Sequence, residues 1–284
     1  MIELDGWCNK LGLTLNYEKT KFIIFHKSGD NTKNNDSAIT EINVNGNIIE
    51  RVYEFKYLGV TLDSHLNFAQ HSTNTQKKVS QHIGILRRLF PYLSFKAFCI
   101  VTNAFVFSTL DYCLPVWGCR PKLELDNIQY NITKFVTSYF YSTKILNKCL
   151  TLKKHKKCKS LISMYLNSTL EFNLLQKCNF LTTTERLIYY SLLQMYKFQN
   201  FDNGSNFSSV FLFDCKKTIT RNTKNLTIVR HNSEAFKRSL NYRLIKLWNE
   251  LPLEIRDKKL SLSKFKYEVF QCLVNKRNEK FCYE

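Results

Sequence analysis

The side chains of this sequence that could do chemistry are mainly cations, several of them close to aromatic residues. Lysine and arginine number 42 against 23 aspartate and glutamate, so the formal net charge is +19. Such an excess favours a polyanionic partner, because cations that neutralise phosphates release counterions and supply affinity that is independent of sequence. The cations that stand out by their surroundings are Lys19, Lys56, Lys77, Lys78, Arg87 and Arg88.

Carboxylates and histidines are poor candidates for catalysis here. A two-metal centre needs several converging carboxylates, and no two aspartates are adjacent in the 284 residues. Asp63, Asp111 and Asp126 are scattered, and the aromatic surroundings of Asp111 suit a structural hydrogen bond better than a metal ligand. The histidines show no serine or cysteine partner at a distance evident from the sequence. We therefore assign no catalytic residue and no metal ligand.

The sequence argues against membrane and secreted proteins. No stretch approaches the roughly 18 uninterrupted apolar residues of a spanning helix, and the N-terminus lacks the basic and apolar regions of a signal peptide. The ten cysteines show no paired spacing, which indicates reduced thiols. We expect an intracellular protein, in the cytoplasm, the nucleus or both, with no membrane association and no small-molecule cofactor.

The elements that must position the cations begin with a small sheet. The apolar run Phe22–Phe25 predicts a buried strand after a turn. Alternating residues around Asn45-Gly46 predict a hairpin. The aromatic and β-branched segment Tyr53–Asp63 predicts a central strand that bends at its glycine. Residues 20–62 should therefore form a small antiparallel sheet.

Apolar residues at helical spacing predict one helix over 1–12 and three helices after about residue 67. The faces predicted to be buried in those three are Val79, Ile83, Leu86 and Phe90; Ala97, Ile100 or Val101, Ala104 or Phe105, and Ser108; and Leu125, Ile128, Ile132, Phe135 or Val136, and Tyr139. The aromatic residues at these positions, together with Trp117 and Trp248, should belong to the core.

The rest of the chain is predicted to be helical on both sides of a polar interruption. Thr182-Thr183-Thr184-Glu185 has the form of a capping box and starts one helix. Residues 200–232 are polar and loop-like, which predicts a flexible linker. The lysine-rich run 153–159 is either a solvated segment or a nucleic-acid contact. Two closing helices follow, with apolar positions at Phe236, Leu240, Leu244 and Trp248, and at Leu262, Phe265, Val269 and Leu273.

Several motifs occur in an order that resembles a known family. They are Trp7-Cys8-Asn9, Asn16 with Lys19-Thr20, Phe55-Lys56-Tyr57-Leu58-Gly59-Val60 with Leu62-Asp63, Leu110-Asp111-Tyr112-Cys113, and Leu247-Trp248-Asn249-Glu250-Leu251-Pro252. This order resembles the back half of the reverse transcriptase of non-LTR retrotransposons, in particular the jockey-like elements of animals. The resemblance covers nearly the whole chain.

The predicted elements and the resemblance together give an α+β, mostly α fold. A small antiparallel sheet near the N-terminus is followed by a helical thumb-like bundle and a C-terminal helical region. The implied domains are a palm remnant with the primer-grip hairpin at 1–66, a helical thumb at 67–142, and a C-terminal helical region at 143–284 with a flexible linker near 200–232. The chain would be a fragment of an RNA-directed DNA polymerase without the aspartates that hold Mg²⁺ in the parent enzyme.

The resemblance also implies roles for the cations. The primer grip would consist of Lys56, Tyr57, Leu58 and Gly59. Lys19 would lie near the phosphates of the incoming nucleotide. The cations along the duplex of RNA template and DNA primer would be Lys77, Lys78, Arg87 and Arg88. We expect such a chain to bind nucleic acid and not to polymerise it.

Each of these roles has a plainer alternative. Lys19 could be an exposed turn lysine, the grip segment a plain buried strand, and the helical cations a solvated face. At the level of the whole chain, two other functions stay open. One is a domesticated nucleic-acid-binding protein without catalysis, and the other is the non-functional product of a decaying element.

Overall fold

The computed structural model describes residues 2–26, 41–119, 122–149, 174–201, 226, 228, 234–237, 239–256 and 260–281. The chain divides into two compact units, Met1–His71 and Ser72–Glu284. The fold class predicted from the sequence, α+β and mostly α with a small antiparallel sheet before the helices, is confirmed. The domain boundaries predicted at 66 and 142 stay predictions.

The first unit contains one helix and five short strands. They are α1 (Ile2–Lys10), β1 (Lys21–Phe22), β2 (Glu41–Val44), β3 (Asn47–Arg51), β4 (Glu54–Tyr57) and β5 (Val60–Asp63). The predicted hairpin around Asn45-Gly46 is confirmed, because β2 and β3 pair in antiparallel register on either side of it. Both turn residues have positive φ, 52° and 82°, as a type I′ turn requires.

The prediction of one antiparallel sheet over residues 20–62 is wrong. Strands β1, β3 and β2 form a three-stranded sheet in that order, and β4 and β5 form a separate two-stranded sheet. The reason is that β3 already has a partner on each edge. Strand β2 pairs with one edge, and β1 pairs in parallel with the other, so β4 has no free edge of β3 to join.

The predicted buried strand Phe22–Phe25 is also shorter and more exposed than expected. Only Lys21 and Phe22 pair with β3, opposite Glu50 and Arg51. Because β3 ends at Arg51, the ladder ends there too. The residues after it leave the sheet, and Phe25 is 53% exposed.

The second unit is helical. Its elements are α2 (Ala69–Leu89), whose first turn ends the first unit, a 3₁₀ turn (Phe90–Tyr92), α3 (Phe95–Val101), a π-helical turn (Thr102–Phe107), α4 (Ser108–Asp111), α5 (Leu114–Trp117), α6 (Lys122–Cys149), α7 (Thr183–Phe201), α8 (Glu234–Lys237), α9 (Leu240–Glu250), α10 (Leu253–Arg256) and α11 (Leu262–Phe281). None of the helices in the described part of the chain combines the length and the apolar character needed to cross a membrane.

The predicted buried faces of α2 and α6 are confirmed. The predicted apolar positions are all buried: Val79, Ile83 and Leu86 on α2, Phe90 directly after it, and those from Leu125 to Tyr139 on α6. An aromatic cluster joins the two helices to α3: Phe98 stacks on Tyr139 at 3.8 Å between ring centroids, and the Tyr139 hydroxyl donates to the Leu93 carbonyl at 3.0 Å. The aromatic rings here form the core of this part of the unit.

The predicted buried face of the second helix is wrong: the observed face already starts at Phe98 in place of Ala97, and a π-helical turn follows. The Ser108 N–H bonds to the Asn103 carbonyl, five residues back, so this turn is wider than an α-helical one. The buried side chains of this segment are Phe98, Thr102, Val106, Phe107 and Leu110. Phe105 was expected in the core and is 51% exposed.

The two closing helices both pack against α7. Leu244 and Trp248 of α9 and Phe265 of α11 are buried in one cluster with residues of α7, and Tyr196 stacks on Phe265 at 4.0 Å. The predicted helix through Phe236 is split into α8 and α9, because Ser239 caps α9 by accepting a hydrogen bond from the Tyr242 N–H at 3.3 Å.

Two predicted segments lie wholly or mostly outside the described residues. The lysine-rich run 153–159 is one of them, and most of the predicted linker 200–232 is the other. Within that linker, Leu226 is described and buried. Its N–H donates to the Asn249 Oδ1 atom, and its carbonyl accepts from the Asn249 side chain, both at 2.9 Å.

Candidate nucleic-acid interface

The segment Tyr53–Asp63, predicted as one bent strand, is a hairpin of β4 and β5. Phe55 pairs with Leu62, Lys56 with Thr61, and Tyr57 with Val60. Residues 54–59 are all exposed, so the alternative of a plain buried strand is wrong. The hairpin instead presents its first strand and its turn to solvent.

The four residues of the predicted grip do not share one face of this hairpin. Directly paired residues lie on the same face, and neighbours along a strand alternate. Tyr57 therefore lies with Val60 on one face, and Lys56 lies with Thr61 on the other. Leu58 and Gly59 form the turn. The hairpin thus offers a cation on one side, an aromatic ring on the other side and an aliphatic side chain at its end.

The turn of this hairpin is unusual because leucine occupies a left-handed position. Leu58 has φ 44° and Gly59 has φ 86°, the signs of a type I′ turn. A side chain with a Cβ costs about 1–2 kcal/mol in this conformation. The Leu58 side chain is 74% exposed, so burial in this chain returns little of that cost.

Asp63 fixes the base of the hairpin. Its Oδ1 atom accepts hydrogen bonds from the N–H groups of His65 and Asn67 at 3.0 Å, and its Oδ2 atom accepts from the Phe68 N–H at 2.7 Å. The Thr61 N–H donates to the His71 Nδ1 atom at 3.3 Å. Asp63 is therefore a turn-forming carboxylate that leads the chain from β5 towards α2.

Lys19 lies in an exposed turn, and no hydrogen bond or ion pair joins it to the β4–β5 hairpin in the described part of the unit. Its backbone N–H donates to the Asn16 side chain at 3.0 Å. The nearby Lys21 pairs with Glu50 at 2.8 Å, and this hydrogen bond and charge lower the pKa of Glu50. The cationic atom of Lys19 is thus exposed, while Lys21 supports the sheet.

The four cations of α2 are all exposed. At about 100° per residue, Lys77 and Arg88 lie within about 20° of each other and opposite the buried face. Lys78 and Arg87 lie about 90° to either side of this pair. Lys77 and Arg88 are about 16 Å apart along the helix axis. The cations therefore cover the exposed half of the helix and do not form a single narrow line.

No acidic residue accompanies these cations. Residues 64–110 contain Lys77, Lys78, Arg87, Arg88 and Lys96 but no aspartate or glutamate. Within the residues that the structure describes, none of the five forms a salt bridge. The exposed side of α2 is therefore positive and uncompensated from within its own segment.

His82 holds α2 to the π-helical turn, a role that the sequence did not reveal. Its Nδ1 atom lies 2.8 Å from the Phe105 carbonyl oxygen, so this nitrogen carries the proton and donates. The Thr109 hydroxyl oxygen lies 3.2 Å from the same nitrogen and donates to the same carbonyl at 2.9 Å. The contact fixes the rotation of α2, and with it the direction of the cationic side.

Asp111 makes structural hydrogen bonds, as expected from its aromatic surroundings, and one of them is an ion pair that was not predicted. Its Oδ2 atom accepts from the Arg186 guanidinium at 2.6 Å and from the Tyr190 hydroxyl at 2.7 Å. The guanidinium also lies over the Phe107 ring at 3.5 Å. Burial raises the pKa of Asp111, while the charge of Arg186 and the two hydrogen bonds oppose the rise.

The predicted capping box at the start of α7 is confirmed and has a second function. The Glu185 N–H donates to the Thr182 hydroxyl at 3.3 Å, and the Thr182 N–H donates to the Glu185 carboxylate at 2.9 Å. The same carboxylate accepts from the Arg277 Nε atom at 2.8 Å. Arg277 is buried and also donates to the Phe180 carbonyl at 3.2 Å, so α11 is joined to the start of α7.

Within the described ranges, no three side chains of histidine, cysteine, aspartate or glutamate come together in a way that could hold a metal ion. These residues therefore do not fit the Mg²⁺ centre that the resemblance implies for the parent enzyme.

Comparison with known proteins supports a reverse-transcriptase-like origin. The chain is 27% identical over 126 residues to the RNA-directed DNA polymerase from the mobile element jockey of Drosophila melanogaster. The match covers 43% of this chain and spans about 13% of the length of that protein. No protein-family model matches the chain, and no solved structure matches it.

Proposed function

We propose that this chain is the primer-template-binding part of a retrotransposon reverse transcriptase, and that it binds nucleic acid without polymerising it. The observation that carries the proposal is the exposed, acid-free cationic side of α2. The similarity to the jockey polymerase supports the same class of partner. The catalytic aspartates and their Mg²⁺ would have to come from outside the described residues, so no chemical step is assigned to this chain.

The arrangement of the α2 cations suits phosphates better than bases. Lysine and arginine spread over half of a helix can reach phosphates on both sides of a groove, and such contacts position a duplex without reading its sequence. The partner that we propose is the duplex of RNA template and DNA primer. Four neutralised phosphates give a slope of about −3.6 in log K against log salt.

The β4–β5 hairpin is proposed to contact the end of the primer strand. Its turn presents Leu58, which is largely exposed, beside Gly59, where the absent side chain lets a backbone approach closely. Tyr57 and Leu58 would pack against the terminal sugar, and Lys56 would contact a phosphate from the opposite face of the hairpin. Lys19 is proposed as a further phosphate contact on the strength of the resemblance alone.

The α2 contacts are tested by fluorescence anisotropy with a labelled RNA–DNA duplex between 50 and 200 mM KCl. The test variant replaces four cations by glutamine: Lys77, Lys78, Arg87 and Arg88. The control variant makes the same change of net charge at four other exposed lysines of the second unit: Lys177, Lys246, Lys264 and Lys276. Over this range the four α2 contacts should account for about a 100-fold fall in wild-type affinity. The test variant should lose most of the slope, and the control should keep it.

Equal effects of the two variants would contradict the α2 interface, because bulk charge alone would then explain binding. The hairpin is tested separately with alanine at Lys56, Tyr57 and Leu58. We expect a selective loss for a duplex with a recessed primer end compared with a blunt duplex. Equal affinity of this variant and wild type for both duplexes would favour the domesticated nucleic-acid-binding protein instead.

A further inference from the structure

A cavity of about 480 Å³ opens in the second unit, and none of its lining residues belongs to α2. It lies among α4, α5, α7, the start of α9 and α11. Its volume falls in the range of about 300–1,000 Å³ that is typical of small-molecule sites. Apolar side chains form most of its wall: Val116, Leu193, Phe198 and Leu240.

The cavity has a positive edge. Lys197 of α7 and Lys266 of α11 line it, both are exposed, and neither forms a salt bridge within the described part of the chain. Asp111 also lines the cavity, but its charge is already matched by Arg186 at 2.6 Å. The net charge offered to a ligand is therefore positive, which favours an anion.

The polar groups inside the cavity favour a heterocycle over a hydrocarbon chain. The Tyr190 hydroxyl donates its proton to Asp111, so its oxygen can still accept a hydrogen bond. The Gln194 amide, half-buried on the same helix, can both donate and accept. An alkyl chain would leave the Gln194 amide and the free lone pair of the Tyr190 oxygen without partners, at a cost. A nucleobase would satisfy them, and its flat face could pack on Phe198.

We propose that this cavity binds a single nucleotide, with the base against Phe198 and Gln194 and the phosphate at Lys197 and Lys266. The nucleotide is either a free monophosphate or an unpaired nucleotide of a strand, since both present the same base and phosphate. The proposed duplex contacts of α2 are not needed for this site. The inference therefore goes beyond the proposed function and can fail independently of it.

The first test blocks the cavity. Val116 lines it and is 42% exposed, and Leu253 lies outside its lining and is 41% exposed, so replacing each by tryptophan makes a matched pair. Binding of adenosine 5′-monophosphate and of hexa-adenylate is followed by saturation-transfer NMR. We expect Val116→Trp to lower the affinity for the probe at least about tenfold and Leu253→Trp to leave this affinity unchanged. A response to monophosphate alone would identify the free nucleotide as the ligand.

The second test removes the positive edge with surface substitutions that do not alter the core. Lys197→Gln with Lys266→Gln should weaken monophosphate binding about tenfold and leave the weaker binding of adenosine, which has no phosphate, unchanged. Lys264→Gln with Lys276→Gln is the control at two other exposed lysines of α11. It should change neither.

Three results would overturn the inference. The first is monophosphate binding that Val116→Trp leaves intact. The second is an equal loss of monophosphate affinity in the Lys197–Lys266 variant and in either the Lys264–Lys276 variant or the α2 glutamine variant. That result would indicate general electrostatic attraction. The third is saturation transfer from decanoate but not from any nucleotide, which would indicate a site for aliphatic carboxylates. None of these three results decides whether the chain binds a duplex. The anisotropy assay tests that question, so the proposed function is judged separately.

Discussion

The β4–β5 hairpin and the first turn of α7 each contain an unfavourable feature. One is a leucine with positive φ, and the other is a pair of buried charges. The hairpin places Leu58 in a left-handed position with its side chain 74% exposed. The start of α7 buries Arg186 and draws in the buried Arg277, and each guanidinium meets a carboxylate. In the second of these features, each buried charge has an ionic partner within the chain. The left-handed Leu58 is exposed and has its side chain available to a binding partner. An unfavourable conformation that the chain itself does not offset is expected at a functional site.

The first unit contains two hairpins that differ in the first residue of their turns. The two hairpins have the same kind of turn, with φ 52° and 82° at Asn45-Gly46 and φ 44° and 86° at Leu58-Gly59. Asparagine tolerates the left-handed conformation at small cost, whereas leucine does not. Structure alone does not require leucine at that position, because the neighbouring hairpin forms with asparagine. We therefore expect changes at α7 to affect stability and changes at the β4–β5 turn to affect binding.

The largest expected effect is in the buried ion pair. Asp111→Ala would leave Arg186 buried without its carboxylate, and the free energy of unfolding of the helical unit should fall by about 3–5 kcal/mol. Urea denaturation followed by circular dichroism measures this loss. Asp126→Ala, at an exposed position of α6, is the control. A loss below about 1 kcal/mol would mean that the ion pair behaves like a surface pair.

The next effect concerns the glycines of the two turns. Gly46→Val and Gly59→Val each place a β-branched side chain at positive φ, and each should cost about 1–2 kcal/mol or more of stability. Thermal denaturation measures the loss in both variants. Only Gly59→Val should also reduce affinity for a recessed primer end. Equal losses of affinity in the two variants would contradict a special role of the β4–β5 turn.

A smaller effect is expected from exchanging the first residues of the turns. Leu58→Asn should raise the free energy of unfolding by up to about 1 kcal/mol, and Asn45→Leu should lower it by a similar amount. Affinity for recessed primer ends should fall for Leu58→Asn, although that variant gains stability, and should stay constant for Asn45→Leu. If Leu58→Asn gains stability and keeps its affinity, the leucine has no binding role.

The smallest expected effect belongs to a single charge of the hairpin. Lys56→Gln should reduce the slope of log K against log salt by about 1 and leave stability unchanged. Lys10→Gln, at the exposed end of α1, serves as the control for loss of one charge in the same unit. If both variants reduce the slope equally, Lys56 makes no specific contact with a phosphate.

Patterns that depend on local geometry were predictable from the sequence. The 3.6-residue period gave the buried face of α2 from Val79 to Phe90, Asn45-Gly46 gave the first hairpin, and the Thr-x-x-Glu pattern gave the cap of α7. Each of these depends on residues within a few turns of one another. The cations of α2 were predictable for the same reason, since the residues outside an apolar face are exposed.

Features that depend on distant partners were not predictable. The pairs formed by Arg186 with Asp111 and by Arg277 with Glu185 join residues 75 and 92 positions apart. The buried face of the second helix begins one residue later than predicted, at Phe98, because it is set by the aromatic cluster with Tyr139. No local signal separates the π-helical turn that follows from an α-helix. The turn at Leu58-Gly59 was taken for a bend because leucine is not a residue that turn preferences select.

The pairing of Glu185 with Arg277 has a consequence for the order in which the helical unit matures. The two residues are 92 positions apart, and a ribosome adds about 5–20 residues each second. Glu185 therefore emerges roughly 5–18 seconds before the guanidinium that it will bind. During that interval the Glu185 carboxylate has no Arg277 to pair with, and the apolar residues of α11 are not yet available to the core around α7. A chaperone that shields this surface would act in this interval.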